Sequence, residues 1–296
     1  MISLNLKNSL KKKFSGSFYI SGINSYIDEI DSVYKDNYKC IFIKVYYRKN
    51  IDKLNKKLIK RVLRRAYILS NNKLINVFLL LSPLKKTFET NGDYLSPKNI
   101  NSGFTILNSN NIYIFRKEEF PKVILHEITH HNKSIDSNIF KKNNYIKLCK
   151  HFNISYNSLL IFNEAVIEFW AFMRQIMFVS KEYNIDYNTL FNIELSYSLF
   201  KCTQLLKLQS LMKNGLWYDK CSIFSYIIFK TIFLYSLNEF NKIYTFPYDD
   251  TKLTDFLIKF SKKIPKNDKN PNIQIKSNIN LYRPSNSLCF MLSSDL

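Results

Sequence analysis

Residues 159–173 read LLIFNEAVIEFWAFM, an apolar run without glycine or proline whose only charged side chains are Glu164 and Glu168. So apolar a stretch has to be packed inside, and residues four apart share one face of a helix. Burying an ionised carboxylate without a partner costs roughly several kcal/mol. Carboxylates so embedded want a cation, and a metal with two imidazoles would provide one; the plainer alternative is a helix whose acidic stripe meets solvent or a lysine of another segment.

A source for the cation lies upstream. His126-Glu127-Ile128-Thr129-His130 puts two imidazoles four residues apart, with a carboxylate beside the first. On a helix, both rings can reach a single ion, and Glu127 then sits where a general base for a metal-bound water belongs. The chain has 4 histidines, and three of them, His126, His130 and His131, fall within six positions. His131 is turned away from the shared face by one residue. Chance could also give two histidines on an ordinary helix surface, so the motif needs a third ligand.

Glu164 is the preferred third ligand, with Glu168 one turn on to accept the free N–H of a ligand histidine and fix its tautomer. Two alternatives stay open. Asp136 falls where zincins with a compact HExxHxxGxxH/D motif place theirs, but Lys133 stands at the position where the turn wants glycine. His151 is the other, on a segment that reads as an ordinary helix.

HEITH followed by Asn163-Glu164-Ala165-Val166-Ile167-Glu168 resembles the gluzincin metallopeptidases, in which HExxH is followed on a second helix by an NExxxD-type sequence. The resemblance implies one Zn2+ held by His126, His130 and Glu164, with Glu127 as catalytic base and Glu168 behind a ligand histidine. It implies a zincin-like fold, a peptide or protein substrate, and an exposed edge strand, here residues 101–107, to pair with it. Glu168 departs from the usual aspartate. The 34 residues from His130 to Glu164 exceed the spacing in thermolysin-like members. Those members also use a downstream histidine on the oxyanion, and no histidine follows His151 here. Tyr197, Tyr226, Tyr235 and Arg174 are the candidates to replace it. The chain shows no GxMxN-like segment for gripping a free amino terminus, which favours an endopeptidase.

The pattern along the chain predicts an α+β protein. Strands are expected at 39–47 and 74–81, with a helix over 51–69 between them, then short strands at 101–107 and 111–115. Glu118, Glu119 and Pro121 suit the start of the helix carrying HEITH. Helices are expected at 141–152, 158–183, 189–213, 220–240 and 251–263. The expected division is an α+β lobe over 1–133, a helical lobe over 134–265 and a polar tail over 266–296, with zinc between the lobes.

The net charge of +21 permits an acidic partner or nucleic acid. The densest basic run, KKLIKRVLRR at 56–65, reads as a solvated helix face with Leu58, Val62 and Leu63 turned inward, and no nucleic-acid motif accompanies it. Cys40, Cys149, Cys202, Cys221 and Cys289 are scattered, form no CxxC pair and suggest no disulfide framework. The first residues lack the apolar core of a signal peptide, and no segment reads as a membrane span, so a soluble intracellular protein is expected. The main alternative to a peptidase is a structural or nucleic-acid-binding protein on the same scaffold; a zinc hydrolase acting on a non-peptide amide is another.

Overall fold

The computed structural model describes residues 2–15, 22–87, 95–106, 109–131, 140–269, 273–276 and 279–281. Helices α1 (Leu4–Phe14) and α2 (Ile23–Glu29) precede a hairpin of β1 (Ser32–Tyr38) and β2 (Ile41–Tyr47). Helix α3 (Lys56–Leu69) crosses to β3 (Ile75–Leu80). After the one-turn α4 (Pro97–Ile100) come β4 (Gly103–Thr105), β5 (Asn111–Ile114) and α5 (Phe120–His131). The chain is then helical: α6 (Lys142–Phe152), α7 (Phe162–Tyr183), α8 (Tyr187–Leu211), a π-helical turn (Ser225–Phe229), α9 (Lys230–Tyr235), α10 (Leu237–Ile243) and α11 (Asp250–Ser261). Two short antiparallel strands, β6 (Ile273–Lys276) and β7 (Ile279–Leu281), follow.

The architecture is α+β. The first five strands form one mixed sheet in the order β1-β2-β3-β5-β4, with β2, β3 and β5 parallel and the edge strands β1 and β4 antiparallel to their neighbours. Alternation along the central strands sends Ile43, Val45, Val77, Leu79, Ile112 and Ile114 to one face, where Ile59, Val62 and Leu63 of α3 and Val123 and Ile124 of α5 cover them. Tyr46, Phe78, Leu80 and Tyr113 point to the other face, against Leu10 and Phe14 of α1 and Ile27 of α2. A second core, rich in phenylalanine, holds α6 to α11 together.

Local chemistry sets the boundaries. The Asn55 side chain accepts from Leu58 N (3.0 Å), so α3 begins at Lys56 rather than at residue 51. At Gly103, an added Cβ would lie 2.9 Å from Tyr113 O and 2.9 Å from Val123 Cγ1. Only glycine lets β4 lie this close to β5 and α5.

Two further expected helices are corrected. Residues 158–161 are not helical, because Ile161 N donates to Ser222 Oγ (2.8 Å) and α7 opens at Phe162. The helix expected over 220–240 is broken. Buried Asp219 accepts from Trp217 Nε1 (2.5 Å), Cys221 N (3.0 Å) and Ser222 N (2.9 Å), and Ser222 takes a positive φ of 57°. The chain beyond it winds as the π turn and then as α9 and α10. The polar β1 and the helices α1 and α2 are not among the elements expected from the sequence.

The basic run on α3 is partly internal. Arg65 is fully buried, its guanidinium bonded to Glu182 on α7 through Nε–Oε1 (2.9 Å) and Nη2–Oε2 (2.5 Å), which ties α3 to the helical core. Arg61 stacks over Tyr183 (4.8 Å). Among the described residues, no helix is long and apolar enough to cross a membrane.

Candidate metal centre

Helices α5 and α7 pack against each other and bring the two sequence motifs together. His126 and His130 come from one, Glu164 and Glu168 from the other. The His126 Nε2 to His130 Nε2 distance is 3.1 Å, and Glu164 Oε2 lies 3.3 Å from the first and 3.4 Å from the second. Ligands about 2.0–2.1 Å from a tetrahedral ion are about 3.3 Å apart, so the three atoms match one face of such a tetrahedron. They could hold a metal ion.

The hydrogen bonding around them fits the same conclusion. His126 Nδ1 meets Glu168 Oε2 at 2.9 Å, a partnership that places the proton on Nδ1 and leaves the Nε2 lone pair facing inward. Glu164 Oε2 is buried and accepts no well-aligned hydrogen bond, although both imidazoles touch it. Imidazole nitrogens and a carboxylate oxygen converging on one point need a proton or a metal cation between them.

Glu168 is held from behind by Lys122, whose Nζ lies 2.5 Å from Oε1, with both side chains buried. Burial opposes the charge of Glu168, but Lys122 and His126 outweigh it and keep the carboxyl well below the usual range. Glu164 is also lowered, burial being overcome by His130 and His126. His126 is raised, its burial outweighed by Glu164 and Glu168. Glu127 moves the other way: burial raises it, partly countered by His126 and His130. A buried carboxylate of raised pKa beside the donor face is suited to taking up and releasing a proton.

A cleft of about 280 Å³ opens onto this face. His126, Glu127, His130 and Glu164 line one side, and Gly103, Phe104 and Thr105 of the edge strand β4 line the other. Tyr226, carried by the π-helical turn, also lines it, its ring centroid 6.0 Å from that of His126. Burial and the neighbouring Glu164 push the Tyr226 hydroxyl well above its ordinary pKa, so it keeps its proton and can donate.

The other sequence candidates lie elsewhere. His151 Nε2 meets Ser261 Oγ of α11 at 2.8 Å, and the donor group does not include it. His131 is half-buried at the end of α5, and Asp136 falls outside the described residues. Tyr197 is buried in the helical core, Tyr235 is 39% exposed, and Arg174 donates to Thr129 Oγ1 (2.7 Å). Cys40, Cys149, Cys202 and Cys221 are free thiols, and Cys289 lies outside the described residues.

Sequence reasoning missed Lys122. A lysine four residues before His126 is a visible signal, since it shares the ligand face of α5, but lysine is too common in this chain to single one out. It also missed Glu119 and Lys86, which pair at 2.7 Å beside the site. Comparison with known protein families, with curated proteins and with solved structures finds no match to this chain.

Proposed function

We propose that the chain is a zinc-dependent metallopeptidase with a zincin-like fold of the gluzincin kind. The observation that carries the reading is the triangle of His126 Nε2, His130 Nε2 and Glu164 Oε2, with edges of 3.1, 3.3 and 3.4 Å and Glu127 alongside. Two imidazoles and one carboxylate suit zinc, and three protein ligands leave a fourth position for water or substrate. The order of elements supports it too: a mixed sheet ends in an antiparallel edge strand, β4, beside the helix that bears HEITH.

A zinc ion bound there would lower the pKa of a water molecule toward neutrality and polarise the substrate carbonyl. The residues of the chain do the rest. An extended peptide lies along β4 and pairs with its open edge. Glu127 takes the proton from the attacking water and passes it to the leaving amine. Tyr226 donates its hydroxyl hydrogen to the oxygen that becomes negative, the part for which no downstream histidine is present. Glu168, fixed by Lys122, keeps His126 in the tautomer that presents Nε2.

The test is zinc content by elemental mass spectrometry on wild type, Glu164→Ala and Glu127→Gln, with hydrolysis of a random peptide library by each. About one zinc in wild type and Glu127→Gln, its loss in Glu164→Ala, and cleavage by wild type alone are expected. A folded wild type that takes no zinc overturns the reading. Zinc binding without cleavage of any peptide leaves a metal protein and removes the peptidase.

A further inference from the structure

No acidic residue stands between Asp52 and Glu89, whereas ten lysines and arginines do. Six of the ten sit on α3, at positions 56, 57, 60, 61, 64 and 65. Two of these are engaged by α7, Arg65 with Glu182 and Arg61 over the Tyr183 ring. Lys56, Lys57, Lys60 and Arg64 are exposed. Lys56, Lys60 and Arg64 recur every four residues, so they form one stripe with steps of about 6 Å along the helix. That step is comparable to the distance between successive phosphates of an extended single strand.

The ground beside the stripe is aromatic. The edge strand β1 turns Tyr34 and Tyr38 toward α3, and Tyr67 of α3 meets Tyr38 edge-on at a centroid distance of 5.6 Å. All three rings are half-buried and each carries a cation. Lys56 lies over Tyr34 (5.3 Å), Arg64 over Tyr38 (5.9 Å), and exposed Lys39, from the β1–β2 turn, over Tyr67 (4.3 Å). Among the described residues, none of Lys39, Lys56, Lys60 and Arg64 pairs with a carboxylate. Asp36, between the two tyrosines on β1, is taken by Tyr34 OH (2.5 Å) and Asn37 N (2.9 Å). Cations that rest on ring faces at the surface are held weakly. A ligand that brings phosphates to the cations and flat bases to the rings replaces both halves of that contact.

We propose that this surface of α3 and β1 binds single-stranded nucleic acid, the cations following the phosphates and the tyrosines stacking bases. β1 and β4 are the two opposite edges of the sheet, so the surface is remote from the metal cleft and does not rest on the peptidase reading. An acidic protein would use the charges but not the rings. Paired bases keep their faces covered, which disfavours a duplex.

The experiment is fluorescence anisotropy of the full chain with a labelled oligothymidylate of about 15 nucleotides over a salt series. Duplex DNA, polyglutamate and phosphatidylserine vesicles serve as competitors. The triple variant Lys56→Gln, Lys60→Gln, Arg64→Gln should weaken binding and reduce the slope of log affinity against log salt by about 2, because each phosphate contact on a single strand contributes about 0.7. The same charge change at exposed positions of α10 and α11, Lys242→Gln, Lys252→Gln, Lys259→Gln, should leave both nearly unchanged. Tyr38→Leu should cost about tenfold in affinity at every salt concentration, and Tyr38→Phe should keep it. Equal losses from the two triple variants would mean that net charge alone attracts the strand, and they overturn the site. Polyglutamate, duplex or vesicles competing as well as unlabelled oligothymidylate overturn the single-strand assignment, as does an absence of binding at low salt.

Discussion

Lys122 Nζ lies 2.5 Å from Glu168 Oε1, while Glu168 Oε2 lies 2.9 Å from His126 Nδ1, so one carboxylate joins a buried ammonium to a candidate ligand imidazole. All three groups come from the interface of α5 and α7, and Lys122 and His126 are one turn apart on α5. The lysine holds one oxygen of Glu168 and leaves the other directed at His126.

Lys122→Met keeps the length of the side chain and removes the charge. Glu168 then keeps His126 as its hydrogen-bond partner and Lys230 as a nearby charge, and its hold on His126 slackens. Zinc affinity should fall by about 10–100-fold, the usual cost of losing an outer partner of a metal ligand. Competition with a chromophoric chelator measures it. An unchanged affinity would mean that Lys122 serves only packing.

Tyr226→Phe removes one hydroxyl from the cleft wall and leaves the ring. If that hydroxyl stabilises the developing oxyanion, kcat should drop about 10²–10³-fold with KM and zinc content little changed. A rise in KM alone would assign Tyr226 to substrate binding instead.

Lys230 is fully buried next to the same network, among Glu168, Glu194, Lys122 and Lys86, and burial brings its pKa down to about 7. The sign follows from proton counting. Between pH 7 and the unfolded value near 10.5, the unfolded chain binds more protons at this residue, so stability rises with pH across that window. Below pH 7 both states are protonated and the penalty is fully present. Lys230→Met should remove a slope of at most about 1.4 kcal/mol per pH unit. Urea unfolding of both proteins from pH 6 to 10 reads the difference, in which metal effects common to the two cancel.

Arg65→Ala leaves Glu182 and Gln175 without the guanidinium that joins them to α3. Because Arg65 is buried and Glu182 is partly exposed, the cost should be about 3 kcal/mol, toward the lower end for a broken buried pair. Thermal unfolding monitors it, and a double-mutant cycle with Glu182→Ala separates the pair from the packing.

Gly103→Ala introduces a Cβ at 2.8 Å from Ile114 Cδ1 and 2.9 Å from Tyr113 O. The side chain can shift but the backbone oxygen cannot, so β4 must move off β5. Stability should fall by about 1–3 kcal/mol, and peptide binding along the edge strand should weaken with it. Denaturant midpoints and the affinity for a hydroxamate-capped peptide measure the two effects separately.

The sequence by itself determined the parts that are local or periodic. HEITH on a helix, the apolar run with Glu164 and Glu168 on one face, and the strands around residues 41–47 and 75–80 all follow from spacing, which secondary structure converts directly into geometry. Within that reach it also ranked Glu164 above His151, because a carboxylate in an apolar helix needs a cation and a histidine on an ordinary polar helix does not. Only the tertiary structure decided what lies across the interface from that face. Tyr226 stood level with Tyr197 and Tyr235 until the loop held by Asp219 and the π turn carried it into the cleft, and neither irregularity has a period to read. Lys122 and Glu119 looked like two of many charges, and their role comes from being sealed between α5, α7 and β4. There loss of water makes an ion pair stronger and an unpaired oxygen more costly, a difference that depends on what surrounds a residue and not on what it is.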